Sequence, residues 1–235
     1  MREVLKPRGR RRGRAVRGAA PLAAIALLAS ACGTTPGTAA EVNGTRITTA
    51  EVKELAGAQC DLRKELVESG QAPAASASRV RQESLEVLMD TELSHQFGES
   101  EGITVDPNLA KGLYEQVKPL FEPLPEKSRN VFLDVFKGWS EGRAILVQAG
   151  GEALGQPVSP TNIQQALDAG VQARASWLED ADITTDPSFA PGKDGFPSYG
   201  SGSASRAVSD FAKGSTAQEQ DPAWVNALPA KQKCG

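Results

Sequence analysis

The pattern of apolar and polar residues opens at the period of a strand and then changes to that of a helix. Glu41-Val42-Asn43-Gly44-Thr45-Arg46-Ile47 reads as a short strand, an Asn-Gly turn and a return strand, with Val42 and Ile47 as the apolar strand positions. Asn-Gly suits a two-residue hairpin because both central residues need φ > 0. Thr48-Thr49-Ala50-Glu51 then fits a capping box, with Thr48 as N-cap and Glu51 reaching back to it. A stripe of Val52, Leu55, Ala56, Cys60, Leu62, Leu66 and Val67 predicts a helix over 49–68, ended by Gly70-Gln71-Ala72-Pro73. Leu85, Leu88, Met89, Leu93 and Phe97 predict a second helix over 79–97.

Further along, Gly102-Ile103-Thr104-Val105 is a brief extended piece, and Asp106-Pro107 is a helix start with Asp as N-cap and Pro at the first helical position. That third helix carries Leu109, Leu113, Tyr114 and Val117, and Pro119, Pro123 and Pro125 break the chain after it. A fourth helix over 125–149 places Val131, Phe132, Val135, Phe136, Trp139, Leu146 and Ala149 on one broad face. Gly150-Gly151 and Gly155-Gln156-Pro157 read as a break, and Ser159-Pro160 as the start of a fifth helix with Ile163, Leu167, Val171, Trp177 and Leu178 as its apolar positions. Residues 181–187 are extended and are the candidate for the strand that completes the opening hairpin's sheet, since a lone hairpin is too small to stand by itself. Residues 191–205 are rich in Gly, Ser and Pro, residues 205–213 suit a short helix or strand, and Asp221-Pro222-Ala223-Trp224-Val225 to Leu228 is an amphipathic turn. The predicted fold is mainly α, about five helices with a small β-hairpin or short sheet made by N-terminal and C-terminal segments.

Residues 1–31 do not belong to that fold. Arg2, Lys6, Arg8, Arg10, Arg11, Arg12, Arg14 and Arg17 form a basic region, an apolar core runs from Ala19 to Ala29, and small residues follow. This order is that of an export signal peptide, and the apolar run is about half of the roughly 20 residues a membrane span needs. The apolar core also argues against reading the arginines as a nucleic-acid site. Eight of the 26 Lys/Arg and one of the 29 Asp/Glu lie in this segment, which leaves residues 32–235 with a net charge of about −10. Such a balance argues against nucleic-acid partners.

Leu28-Ala29-Ser30-Ala31-Cys32 resembles the lipobox of bacterial lipoproteins, with Ala29 where that motif usually has Leu. The resemblance implies that the Cys32 thiol is acylated, that cleavage leaves Cys32 first, and that the protein is a lipoprotein anchored on the extracytoplasmic face of the cell membrane. Ordinary signal-peptidase cleavage after Ala31 is the alternative. Residues 33–38 are then a tether that holds the domain within roughly 25 Å of the anchor, at about 3.5 Å per extended residue. Lipidation of Cys32 leaves Cys60 and Cys234, and an oxidising compartment suggests that these two form one disulfide tying the C-terminal tail to the first helix. Two free thiols are the other reading.

Catalytic chemistry has little to stand on. His95 is the only histidine and lies off the apolar stripe of its helix, so no zinc site can be built from histidines. No C-x-x-C motif occurs, Gly200-Ser201-Gly202 follows no strand, and the carboxylates are scattered along helix faces. No metal or cofactor is expected. The aromatic concentration at Phe121, Phe132, Phe136 and Trp139 is either core or an apolar groove for unfolded peptide.

Glu41-Val42-Asn43-Gly44 through Thr48-Thr49-Ala50-Glu51-Val52 resembles the N-terminal signature of the SurA and PrsA type of extracytoplasmic chaperones. The following helices, Gly102-Ile103-Thr104-Val105, and the segment Trp177 to Pro187-Ser188-Phe189 are similar in order and spacing, so the resemblance covers residues 39–190. It implies a helical domain of the trigger-factor/SurA peptide-binding kind, which binds unfolded or exported polypeptides. Members with prolyl isomerase activity insert a parvulin domain before the closing helix, and residues 150–158 are too short a slot for one. The expectation is a non-catalytic chaperone-like lipoprotein, residues 191–235 being a tail docked by the disulfide. The alternatives are an envelope assembly or structural lipoprotein with one dedicated partner, and a degenerate peptidyl-prolyl isomerase.

Overall fold

In the computed structural model, residues 35–198, 209–214, 217 and 219–235 are described, so the expected signal segment and Cys32 lie outside the described residues. Residues 34–235 form one compact unit, mainly helical with a small antiparallel sheet.

The hairpin pairs β1 (Thr38–Val42) with β2 (Thr45–Thr48), joining Val42 to Thr45 across Asn43 and Gly44. Both turn residues have left-handed φ, +47° and +84°, as a two-residue hairpin turn requires. The Asn43 side chain fastens that turn to the rest of the fold: its Oδ1 accepts from Asp182 N at 2.7 Å and its Nδ2 donates to Gln96 Oε1 at 2.8 Å. β4 (Ile183–Thr185) adds antiparallel on the other side of β1, with Ala40 opposite Thr185 and Val42 opposite Ile183. Strand order is therefore β2-β1-β4, and the 181–187 segment fills the place expected of it. Ala39, Ala40, Val42 and Ile47 bury the sheet's inner face against Leu85, Met89 and Leu93.

Helix α1 (Thr49–Glu68) starts at the capping box: Glu51 N donates to Thr48 Oγ1 at 3.2 Å and Thr48 N to Glu51 Oε2 at 2.7 Å. β3 (Ala75–Ser76) leads into α2 (Ala77–Glu101), which is longer than the 79–97 expected and ends on Gly102 at φ +68°. α3 (Pro107–Val117) has Asp106 as N-cap, accepting from the amides of Asn108 and Leu109. A 3₁₀ turn over Lys118–Phe121 precedes α4 (Glu126–Ala153), and α5 (Ile163–Leu178) returns along it.

Two expectations fail here. Gly150-Gly151 does not break the fourth helix, which continues to Ala153. These glycines serve a helix crossing: a Cβ on Gly150 would lie 1.6 Å from the Ala166 carbonyl oxygen, and one on Gly170 would lie 1.8 Å from the Leu146 carbonyl oxygen. α4 and α5 thus meet backbone to backbone, each contributing the glycine that the other's carbonyl requires. The fifth helix also starts three residues later than expected. Ser159 and Thr161 form a turn in which Asn162 Oδ1 accepts from Ser159 N at 2.7 Å. The buried stripe of α5 is Ala166, Leu167, Gly170 and Arg174, and Val171, expected inside, is 41% exposed. Arg174 is buried because α2 offers it partners. Its Nη2 donates to Asp90 Oδ1 at 2.6 Å and its Nη1 to Ser94 Oγ at 2.5 Å and to the Asp90 carbonyl at 3.2 Å.

The C-terminal segment packs over α1 and the start of α2. α6 (Asp210–Lys213) and α7 (Pro222–Asn226) are single turns, and β5 (Lys233–Cys234) pairs with β3. Cys60 and Cys234 are bonded, with Cα atoms 4.7 Å apart. Val225 and Leu228 are buried, and Gln220 clasps Ser76, accepting from its N at 3.0 Å and donating to its Oγ at 2.7 Å. Among the described residues no helix is long and apolar enough to cross a membrane.

Candidate functional site

The aromatic row divides. Phe121 and Phe132 are 2% and 1% exposed. Their rings stack with centroids 4.5 Å apart, within a cluster that includes Leu55, Ala58 and Leu124. They fill the space between α1, α4 and the 118–121 turn, so neither reaches a client in this conformation; the peptide-binding reading is corrected at these two residues. Phe136 and Trp139 are half-buried. Trp139 has its ring covered by the Arg143 guanidinium, 5.0 Å from the centroid. Burial lowers the Arg143 pKa below the usual arginine value and Arg174 adds to the shift, while Asp90 and Asp168 oppose it.

The open concavity lies on the other flank of α4. A groove of about 660 Å³ runs between β2, α1, α2 and α4. Its floor is apolar, made by Ile47 from the hairpin, Leu88 from α2, and Val131 and Val135 from α4. Val131 and Val135 are one helical turn apart and so share a face. The rim is charged: Arg46, Glu51, Glu54, Glu92, Lys127 and Asp134.

One wall of the groove is the open side of a sheet. In an antiparallel hairpin closed by two residues, the pair next to the turn exchanges both bonds and the next pair points its amide and carbonyl outward. Val42 and Thr45 are the first pair, so Glu41 and Arg46 are the second. On β1 the outward groups of Glu41 face Thr184 of β4. On β2 the N–H and C=O of Arg46 have no hydrogen-bond partner among the described residues. The next outward amide, that of Thr48, is taken by Glu51. The opposite edge of the sheet is covered, since Thr185 Oγ1 donates to the Gly195 carbonyl at 2.6 Å and the 191–197 loop folds over Ile183. One strand edge is therefore closed and the other, beside the groove, is open at Arg46.

His95 does not face the groove as a free base. Its half-buried ring donates from Nε2 to the Gly138 carbonyl at 2.9 Å, joining α2 to α4. No group of His, Cys, Asp and Glu among the described residues has the geometry to hold a metal ion. Of the residues marked from sequence, the structure joins Cys60 to Cys234 and gathers the four aromatics on one side of α4. From sequence the groove floor reads only as separate helix-face residues and one strand position, Ile47, because no local pattern shows that the hairpin meets the helices. Comparison of the chain with protein-family models, with curated proteins and with solved structures finds no match in any of the three.

Proposed function

We propose that this chain is a lipid-anchored, extracytoplasmic chaperone-like protein that binds unfolded or newly exported polypeptides without catalysis. The observation that carries the reading is the apolar groove lying along the open Arg46 edge of β2. An extended client takes the Arg46 N–H and C=O by strand addition, and its apolar side chains settle on Ile47, Leu88, Val131 and Val135. Backbone bonds do not depend on sequence and the floor is aliphatic, so many clients fit weakly, as reversible holding requires. The export signal and the lipobox-like Cys32 support placing this activity at the membrane's outer face.

The test uses residues 34–235 added to heat-denaturing citrate synthase. Light scattering should fall with increasing domain, and Val135→Asp, which puts a charge on the groove floor, should abolish the effect while circular dichroism stays helical. No suppression by the parent domain, or equal suppression by the variant, overturns the reading. For the anchor, Cys32→Ala should move the protein out of the membrane fraction or leave uncleaved precursor; unchanged processing and partition would exclude acylation at Cys32.

A further inference from the structure

A second concavity, of about 960 Å³, lies on the opposite side of α1, outside the groove just described. α1 gives it Val52, Ala56 and Gly57 at helical spacing, and Phe189, Trp224 and Leu228 add apolar lining. Phe211 also lines it and is 51% exposed. It is held there by Trp224, whose Nε1 donates to the Phe211 carbonyl at 2.6 Å with the two ring centroids 5.7 Å apart. A large exposed aromatic fixed over an apolar cavity is what a site for an apolar body provides, and the volume falls within the range of small-molecule sites, about 300–1,000 Å³.

Its charge is one-sided. The charged residues among the described lining are Lys53, Arg81 and Lys231, and no carboxylate is among them. None of these three cations has an ion pair or a hydrogen bond among the described residues. Residues 32–235 carry a net charge of about −10. Three cations around one apolar cavity, with no carboxylate in its described lining, run against the chain's net negative balance. Several other surface cations, Lys111, Lys127 and Lys137 among them, also lack an ion pair, so the distinctive feature is the sign of this lining, three cations and no carboxylate.

We propose that this cavity binds a single-chain anionic amphipath, of the class of long-chain carboxylates. Its head lies among Lys53, Arg81 and Lys231, and its chain runs along Val52, Ala56, Trp224 and Leu228 under Phe211. The cations supply charge-assisted hydrogen bonds to the head, and the aliphatic and aromatic walls remove the chain from water. The site is independent of the polypeptide groove, because it uses the other face of α1 and the C-terminal segment.

The experiment titrates residues 34–235 with dodecanoate, dodecanol and dodecyltrimethylammonium, all below their aggregation thresholds, by calorimetry. Dodecanoate should bind saturably at one site, and the neutral and cationic heads on the same chain should bind at least about tenfold more weakly. The double variant Lys53→Glu/Arg81→Glu, at two exposed positions, should lower dodecanoate affinity by at least about tenfold while its thermal unfolding matches the parent. Should that variant be misfolded, Phe211→Ala provides the second reading, with weaker binding of all three chains. Equal affinity for the three heads, non-saturating uptake, or unchanged affinity in the folded double variant overturns the proposal. Tighter binding of an apolar peptide with a free C-terminus than of dodecanoate also overturns it, in favour of a peptide end as ligand.

Discussion

Replacing Gly170 with Ala tests the helix crossing at the centre of the fold. The new Cβ would lie 1.8 Å from the Leu146 carbonyl oxygen, whereas side-chain carbons hardly ever come nearer than 3.0 Å, so α4 and α5 must separate by about 1.2 Å. The obstacle is backbone, which cannot rotate aside. A gap of that size forfeits a quarter to a half or more of the dispersion between facing atoms, here around Ile145, Leu146, Ala166 and Leu167. Overpacking costs about 1–3 kcal/mol, and the upper end applies where backbone must move. Against this, Ala gains about 1 kcal/mol over Gly in a helix. The net is a loss of about 2 kcal/mol. Gly112→Ala is the control, since that exposed position in α3 has nothing within 4 Å; it should gain about 0.5–1 kcal/mol. Urea unfolding reads both. With a slope of about 2 kcal/mol/M, the midpoint should fall by about 1 M for Gly170→Ala and rise by about 0.3–0.5 M for Gly112→Ala. Gly150→Ala should resemble Gly170→Ala, and the double variant should cost less than the sum, because one separation relieves both clashes. If Gly170→Ala matches or exceeds the parent, the two helices are not in backbone contact and the crossing is wrong.

Two further outcomes follow from the same coordinates. Removing the Cys60–Cys234 bond, by reduction or by Cys60→Ser with Cys234→Ser, should destabilise the protein by up to about 5 kcal/mol for a loop of 174 residues; hydrogen exchange should show α7 and β5 opening first, and an unchanged melting temperature with protected tail amides would refute it. Burial raises the Glu83 pKa above the usual 4.5 and Glu86 adds to the rise, while Arg63 and Arg79 oppose it. A carboxyl whose folded pKa lies above its unfolded one binds more protons when folded. Its contribution to stability is therefore greatest below the unfolded value and declines as pH rises towards the folded one. Glu83→Gln removes that dependence, so its melting temperature relative to the parent should rise as pH goes from about 4 to about 7. A difference that does not vary with pH would refute the raised value.

What the sequence made legible is what short-range rules govern. Asn43-Gly44, the Thr48–Glu51 capping box and Asp106-Pro107 each depend on residues within four positions, and each forms where the pattern places it. The extended 181–187 segment was placed by exclusion, since a hairpin needs a further strand. The failures share a tertiary cause. Gly150 looks like a helix breaker until the neighbouring helix is present to require it. Arg174 looks like a surface residue until Asp90 and Ser94 are seen across from it. Phe121 and Phe132 read equally as core or as a client-binding row until the 118–121 turn folds one onto the other. The groove was not legible because β2 and α4 are about 80 residues apart, and neither shows an opening on its own.

The sheet's topology sets a timetable for synthesis. β1 is the central strand, yet Ala40 pairs with Thr185, and every helix from α1 to α5 lies between the two in the chain. At about 5–20 residues per second, the nascent hairpin waits roughly 7–30 s for its third strand. Cys60 waits longer, roughly 9–35 s, because its partner lies 174 residues further on. Throughout that interval Val42 and Ile47 lack part of their cover and the Cys60 thiol stands free. The segments that seal the hairpin and Cys60 are thus made long after them, and a chain cut short anywhere before Thr184 would leave its central strand without one neighbour.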